Sequence, residues 1–175
     1  MSFSIGDHVV KPGLGICKIK AIRKMQVEGK EQQFYVLQSG DVNVMVPFAH
    51  AHGGGLRPLL DEEGMNKVLA FLSEPILIPE NEDETSDRYA IEVYAAKDEI
   101  KHRNPDTAAQ LLKTLFYRSK IVELDKSETA VFQEAMIVLA EEYAHLHHTT
   151  RQKAMHQLRS SLKEGRKARR DHTFR

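Results

Sequence analysis

Residues able to do chemistry are few in this chain, and their spacing does not bring them together. Glu142 and His145 stand three apart in a helical run, the spacing found where helix bundles hold carboxylate-bridged metals. That chemistry needs a second such pair and further glutamates on facing helices, and the sequence has neither. His145, His147, His148 and His156 crowd the end of one helix and the start of the next, where exposed helix-end histidines account for them better than a metal site does. Gly13-x-Gly15 lacks the third glycine and the following helix of a dinucleotide loop. No Gly-Lys-Ser/Thr phosphate loop or nucleophile elbow occurs. Cys17 is the one cysteine, so it can form neither an internal disulfide nor a thiolate metal cage, and it reads as a packed strand residue. The expectation is a protein that is not an enzyme and has no metal site, no cofactor and no small-molecule substrate.

What remains is binding. The chain has 175 residues, of which 41% are hydrophobic, enough to pack a core in one large domain or two small ones. No run approaches the roughly 20 apolar residues of a membrane span, and the opening Met-Ser-Phe-Ser-Ile-Gly-Asp does not read as a secretory leader. A cytoplasmic protein without a membrane partner is expected. The formal net charge of zero hides an asymmetry. From Thr149 onward nine basic residues face two acidic ones, a net +7, while the preceding 148 residues carry −7. A basic tail on an acidic body suits a polyanion, although a solvated tail without a partner has the same composition.

Period-two alternation places short strands at His8-Val9-Val10, Gly15 to Ile22, Gln32 to Leu37 and Val42 to Val46. Turn signals separate them at Lys11-Pro12-Gly13-Leu14-Gly15, Glu28-Gly29-Lys30 and Ser39-Gly40-Asp41. Four or five strands in under 60 residues imply a small, strongly curved antiparallel sheet or barrel. Pro47 ends the fourth strand, because proline has no N–H for a ladder. Gly53-Gly54-Gly55 then marks a loop.

After this loop the period becomes helical. Asp61 caps a helix carrying Met65, Val68, Leu69 and Leu72, and Pro75 stops it. Glu74 to Asp87 holds two prolines and six acids and reads as a linker. Helices follow from about Ser86 to Lys101, from Asn104-Pro105, and from Asp125, where Glu128 completes a capping-box pattern, to about His147. Ala154, Met155, Leu158 and Leu162 could extend the bundle to about Leu162, with Gly165 to Arg175 frayed. The fold class is α+β: a small antiparallel β unit over 1–60, a helical domain over 61–148 and a basic C-terminal extension over 149–175.

A small open sheet has edges, and an edge with unpaired backbone groups can take a strand from another protein. Val42 to Val46 is the candidate edge, with a plain core strand as the alternative. In the helical part, Arg88, Lys97, Lys101, Arg103, Lys113, Arg118 and Lys120 could meet phosphates, although the acids between them suit an ordinary solvated surface equally.

These motifs resemble the CarD/CdnL family of bacterial transcription regulators. The resemblance rests on Ile5-Gly6-Asp7-His8-Val9-Val10-Lys11-Pro12, Gly15, Phe34-Tyr35-Val36-Leu37, Val44-Met45-Val46-Pro47 and Gly55-Leu56-Arg57-Pro58. It continues more loosely through Ser86-Asp87-Arg88-Tyr89 to about His147. It implies a Tudor-like barrel that binds the β subunit of RNA polymerase, with Val44, Met45 and Pro47 at the contact. It also implies a helical domain that touches promoter DNA at the upstream edge of the bubble and stabilises the open complex. Two departures stand out. The family's tryptophan wedge is replaced by Thr85 in a chain with no tryptophan, and Asp87 puts a negative charge beside Arg88 where DNA would be met. The tail, with Arg166, Lys167, Arg169 and Arg170, goes beyond the family pattern as a further DNA contact. The competing expectation is an adaptor that binds polymerase without stabilising open promoters.

Overall fold

The computed structural model describes residues 2–51, 55–75 and 100–172, with side chains up to Gly165 in the last helix. The chain divides into two compact units, Met1–Leu59 and Leu60–Arg175. It is the α+β arrangement expected: a small Tudor-like antiparallel unit first, then helices.

The first unit is a five-stranded sheet of β1 (His8–Lys11), β2 (Gly15–Val27), β3 (Lys30–Ser39), β4 (Val42–Pro47) and β5 (Arg57–Pro58), in the order β4-β3-β2-β1-β5. A single helical turn, Phe48–His50, follows β4. Alternation turns Cys17 and Ile19 of β2, Tyr35 and Leu37 of β3, and Val46 of β4 inward, where they meet Val9, Ala51 and Leu56. Each aliphatic side chain so buried contributes about 1.5–3 kcal/mol. Tyr35 is fully buried and stacks on Phe48 at 4.0 Å, and its hydroxyl accepts a hydrogen bond from the Phe3 N–H at 3.2 Å, so the polar end of the ring is satisfied.

Strands β2 and β3 run further than the alternation suggests, to a hairpin tip at Val27 and Lys30. Glu28 and Gly29 both have positive φ, 52° and 78°, which is the type I′ geometry that matches strand twist. From Arg23 to Val27 every residue is exposed, so this arm carries no inside-outside contrast to read. A β-bulge interrupts β2, where Ile19 pairs with Leu37 and Ala21 with Val36, leaving Lys20 as the extra residue.

The second unit packs α1 (Glu62–Ser73), α2 (Pro105–Arg118), α3 (Lys126–Leu146) and α4 (Arg151–His172). Their starts are local chemistry. The Asp61 carboxylate accepts from Gly64 N–H at 2.8 Å. Asn104 accepts from Asp106 N–H ahead of Pro105. Asp125 and Glu128 form a full capping box at 2.7 and 3.0 Å. The Glu128 carboxylate also holds Arg118 Nε at 2.7 Å, tying the end of α2 to the start of α3. Lys113, almost wholly buried, lies 4.1 Å from the centre of the Phe71 ring and donates to the Phe71 carbonyl at 2.5 Å, joining α2 to the last turn of α1. Burial pushes its pKa below the ordinary lysine value, and the negative charge of Glu74 opposes that shift.

Ala154, Met155, Leu158 and Leu162 extend the bundle as their spacing suggested, and it is beyond them that the structure departs from expectation. The fraying expected at Gly165 to Arg175 is corrected as far as His172, through which α4 is helical, while residues 173–175 lie outside the described residues. Ala154, Leu158 and Leu162 are fully buried in the core with Leu112, Leu115 and Leu139. Gly165 does not break the helix. A Cβ built there would lie 2.8 Å from the Ser73 carbonyl oxygen and 2.9 Å from that of Glu74, so glycine permits close approach to the end of α1. Gly165→Ala should therefore destabilise the protein by about 1–3 kcal/mol despite alanine's better helix propensity. A urea melt checks the sign, since a propensity-dominated site would be stabilised instead.

Candidate functional site

The hairpin that delivers β4 determines what its free edge offers. Ser39 and Val42 are joined by two residues, Gly40 and Asp41, and Gly40 has φ 56°, as the first central position of a type II′ turn requires. In such a hairpin the closing pair exchanges both hydrogen bonds, and bonded and non-bonded pairs then alternate. Val42, Val44 and Val46 therefore turn their backbone groups toward β3. Asn43 and Met45 turn theirs to the open edge, and Pro47 offers only its carbonyl.

Side chains follow the same alternation. Val46 is in the core and Val44 packs against it. Met45, 40% exposed, and the half-buried Pro47 lie on the outer face. Of the three expected polymerase contacts, Met45 and Pro47 thus present side chains outward and Val44 presents its side chain inward. Across the ladder, Met45 pairs with Val36 and Pro47 with Phe34, both partly exposed on the same face. On β2 the row continues through Ala21 and Arg23 to Met25, 44% exposed, and Val27, 36% exposed. The result is an apolar band of Ala21, Phe34, Val36, Met45 and Pro47 that reaches the open edge of β4, from which Arg23, Gln32 and Lys30 on the same face separate Met25 and Val27. Phe34 and Val36 were read in the sequence as part of a strand motif and not as contact residues. Once Tyr35 and Leu37 are inward, their neighbours must be outward, and both neighbours are apolar.

Other candidates resolve differently. Thr85 and Arg88 lie outside the described residues, as does the helix expected near Ser86 to Lys101 up to residue 99. Ile100–His102 is a single 3-10 turn. Arg166, Lys167, Arg169 and Arg170 fall on the helical backbone of α4, with their side chains outside the description. Glu142 is buried, and its carboxylate accepts a hydrogen bond from the Leu60 N–H at 2.9 Å, fixing the chain as it enters α1. Among the described residues no three metal-ligating side chains come together, and no helix is long and apolar enough to cross a membrane. Arg103 pairs with Glu141, which also holds Arg151 at 3.1 Å.

Comparison with known proteins agrees with this geometry. The family model of the CarD-like/TRCF RID domain matches residues 3–60, the span of the sheet. The chain is also 26% identical over 145 residues to the Bacillus subtilis (strain 168) protein named "Putative transcription factor YdeB", covering 80% of this chain and 89% of that one. The matched span coincides with the five-stranded antiparallel unit, so it is in this N-terminal part that the chain is similar to the CarD-like/TRCF RID domain family.

Proposed function

We propose that the protein is a transcription regulator that binds the β subunit of RNA polymerase through the open edge of β4 and the apolar band beside it. In this reading it also contacts promoter DNA near the upstream edge of the bubble and modulates open-complex stability. A transcription-related, RNA polymerase-interacting role follows from the domain family and the Bacillus relative. The observation that carries the finer reading is the edge itself, which combines backbone groups at Asn43 and Met45 that have no ladder partner among the described residues with outward Met45, Pro47, Phe34 and Val36.

Magnitudes favour a face over a bare strand addition. Three or four ladder hydrogen bonds add a net of about 0.5–1.5 kcal/mol each. Micromolar association needs about 8 kcal/mol after the cost of ordering. The apolar band supplies the difference. The DNA contacts in this reading are Thr85, Arg88, Arg166, Lys167, Arg169 and Arg170.

One observation favours the second reading, an adaptor that binds polymerase without stabilising open promoters. The chain has no tryptophan, and Thr85 offers little surface to fill the space beside an unstacked base step. Two measurements on the full chain separate the readings. Capture of purified β subunit is expected, and its absence overturns the polymerase reading. Thr85→Trp is expected to lengthen promoter-complex lifetime several-fold. An unchanged lifetime, with capture intact, removes this position from the bubble edge and leaves the adaptor.

A further inference from the structure

The structure assigns to α4 a second role, as a rigid rail for the phosphate backbone of duplex DNA, beginning at residues that pack within the helical core. This deepens the DNA-contacting part of the reading above and rests on it.

The rail follows from helical geometry. Ala154, Leu158, Ser161, Leu162 and Gly165 are buried, which fixes one face of α4 against its neighbours. The opposite face carries His156, Arg159 and Lys163, all exposed, at spacings of three and four. The same spacing continues along the helical backbone to positions 166 and 170. At 1.5 Å per residue, this stripe from 156 to 170 is about 21 Å long, comparable to roughly six steps of one DNA strand at 3.4 Å. Glu164 is the one acidic residue among the described side chains of α4, and Arg151 is already paired with Glu141, so Arg159 and Lys163 are the cations fixed at the core end of the stripe. A partner for this face would be anionic.

The packing distinguishes between anions. A helix that lies on a lipid surface inserts an apolar face beside its basic one. In α4 that apolar face is spent, because Ala154, Leu158 and Leu162 are each 0% exposed. A protein interface places apolar anchors at the centre of the contact, and the exposed stripe has none. Phosphates along a duplex need only charges at regular intervals on a firm support, which is what α4 presents.

The test uses full-length protein and a random-sequence duplex. Affinity is measured between low and physiological salt for the parent chain and for the double variant Arg159→Ala with Lys163→Ala. Each lost phosphate contact should reduce the slope of log affinity against log salt by about 0.9, so the double variant should be shallower by about 2 and several-fold weaker at low salt. Capture of the β subunit should be unchanged, which separates failure of the rail from failure of the polymerase contact. An unchanged slope with parental thermal stability overturns the rail and leaves DNA contact to other residues. Loss of binding to vesicles containing anionic lipid, with duplex binding unaffected, overturns it in favour of a membrane. A random duplex that the parent chain does not bind at all overturns both the rail and the DNA reading on which it rests, while leaving polymerase capture to stand or fall alone.

Discussion

Met45→Glu should weaken capture of the polymerase β subunit by about 2–3 kcal/mol, which corresponds to about a 30- to 150-fold loss of affinity. The side chain lies on the outer face beside Val36, on a strand whose next neighbour is open edge, so a partner closing over it would have to desolvate the new carboxylate. The variant should keep its parental melting temperature, because Met45 contributes nothing to the buried cluster behind the sheet. Val44→Glu supplies the contrast. Its side chain points to that cluster, so the same charge one residue earlier should cost the fold of the unit and therefore both stability and capture. Pull-down with purified β subunit and a thermal melt of each variant give the two readouts. If Met45→Glu binds like the parent, the contact lies elsewhere on the domain.

Leu158→Ala should be among the most damaging single changes in the helical unit, at about 2–5 kcal/mol. Leu158 is 0% exposed and sits between Ala154 and Leu162 on the face of α4 that meets the core. Alanine removes the branched end and leaves a void that well-packed helices cannot fully collapse. For a unit of this size each kcal/mol moves the melting temperature by about 3–5 °C, so calorimetry resolves the effect easily. A loss below about 0.5 kcal/mol would mean that α4 is only a loosely docked appendage, as its composition suggests. The result also bears on the rail, since charges on a loosely held segment keep no fixed spacing.

How much of this was legible in the sequence depended on whether the cause was local. Asn104 before Pro105, and Asp125 with Glu128 three residues on, are caps that act within one turn, and the helices start where these residues stand. The inner faces of β2, β3 and β4 were legible because a buried face against a wet one imposes a period of two. The arm from Arg23 to Val27 was not, because both of its faces are wet and no contrast exists. The reach of α4 was misjudged for a related reason. Its many charged residues dominate the composition, while only Ala154, Leu158 and Leu162, with Ser161 and Gly165, mark the buried row. Gly165 could be read as a helix breaker until the carbonyls of Ser73 and Glu74 appeared beside it, a contact between residues some ninety apart in the chain. The candidate site was half legible. Met45 and Pro47 were named from the motif, whereas their cross-strand neighbours Val36 and Phe34 follow from the two-residue turn at Gly40-Asp41, which sets a register that the alternation of either strand alone does not give.

The two prolines at the rims of the sheet bear on self-association. The rims are β4, ending at Pro47, and β5, only two residues long and ending at Pro58. A continuous row of unpaired N–H groups along either rim would let one copy template the next into a fibril. Here β4 offers N–H donors at two successive outward positions, Asn43 and Met45, before the ladder ends, and β5 has no length to propagate one. The sheet can accept one short visiting strand without growing indefinitely. A docking edge can therefore stay uncovered at high protein concentration without becoming a seed for aggregation.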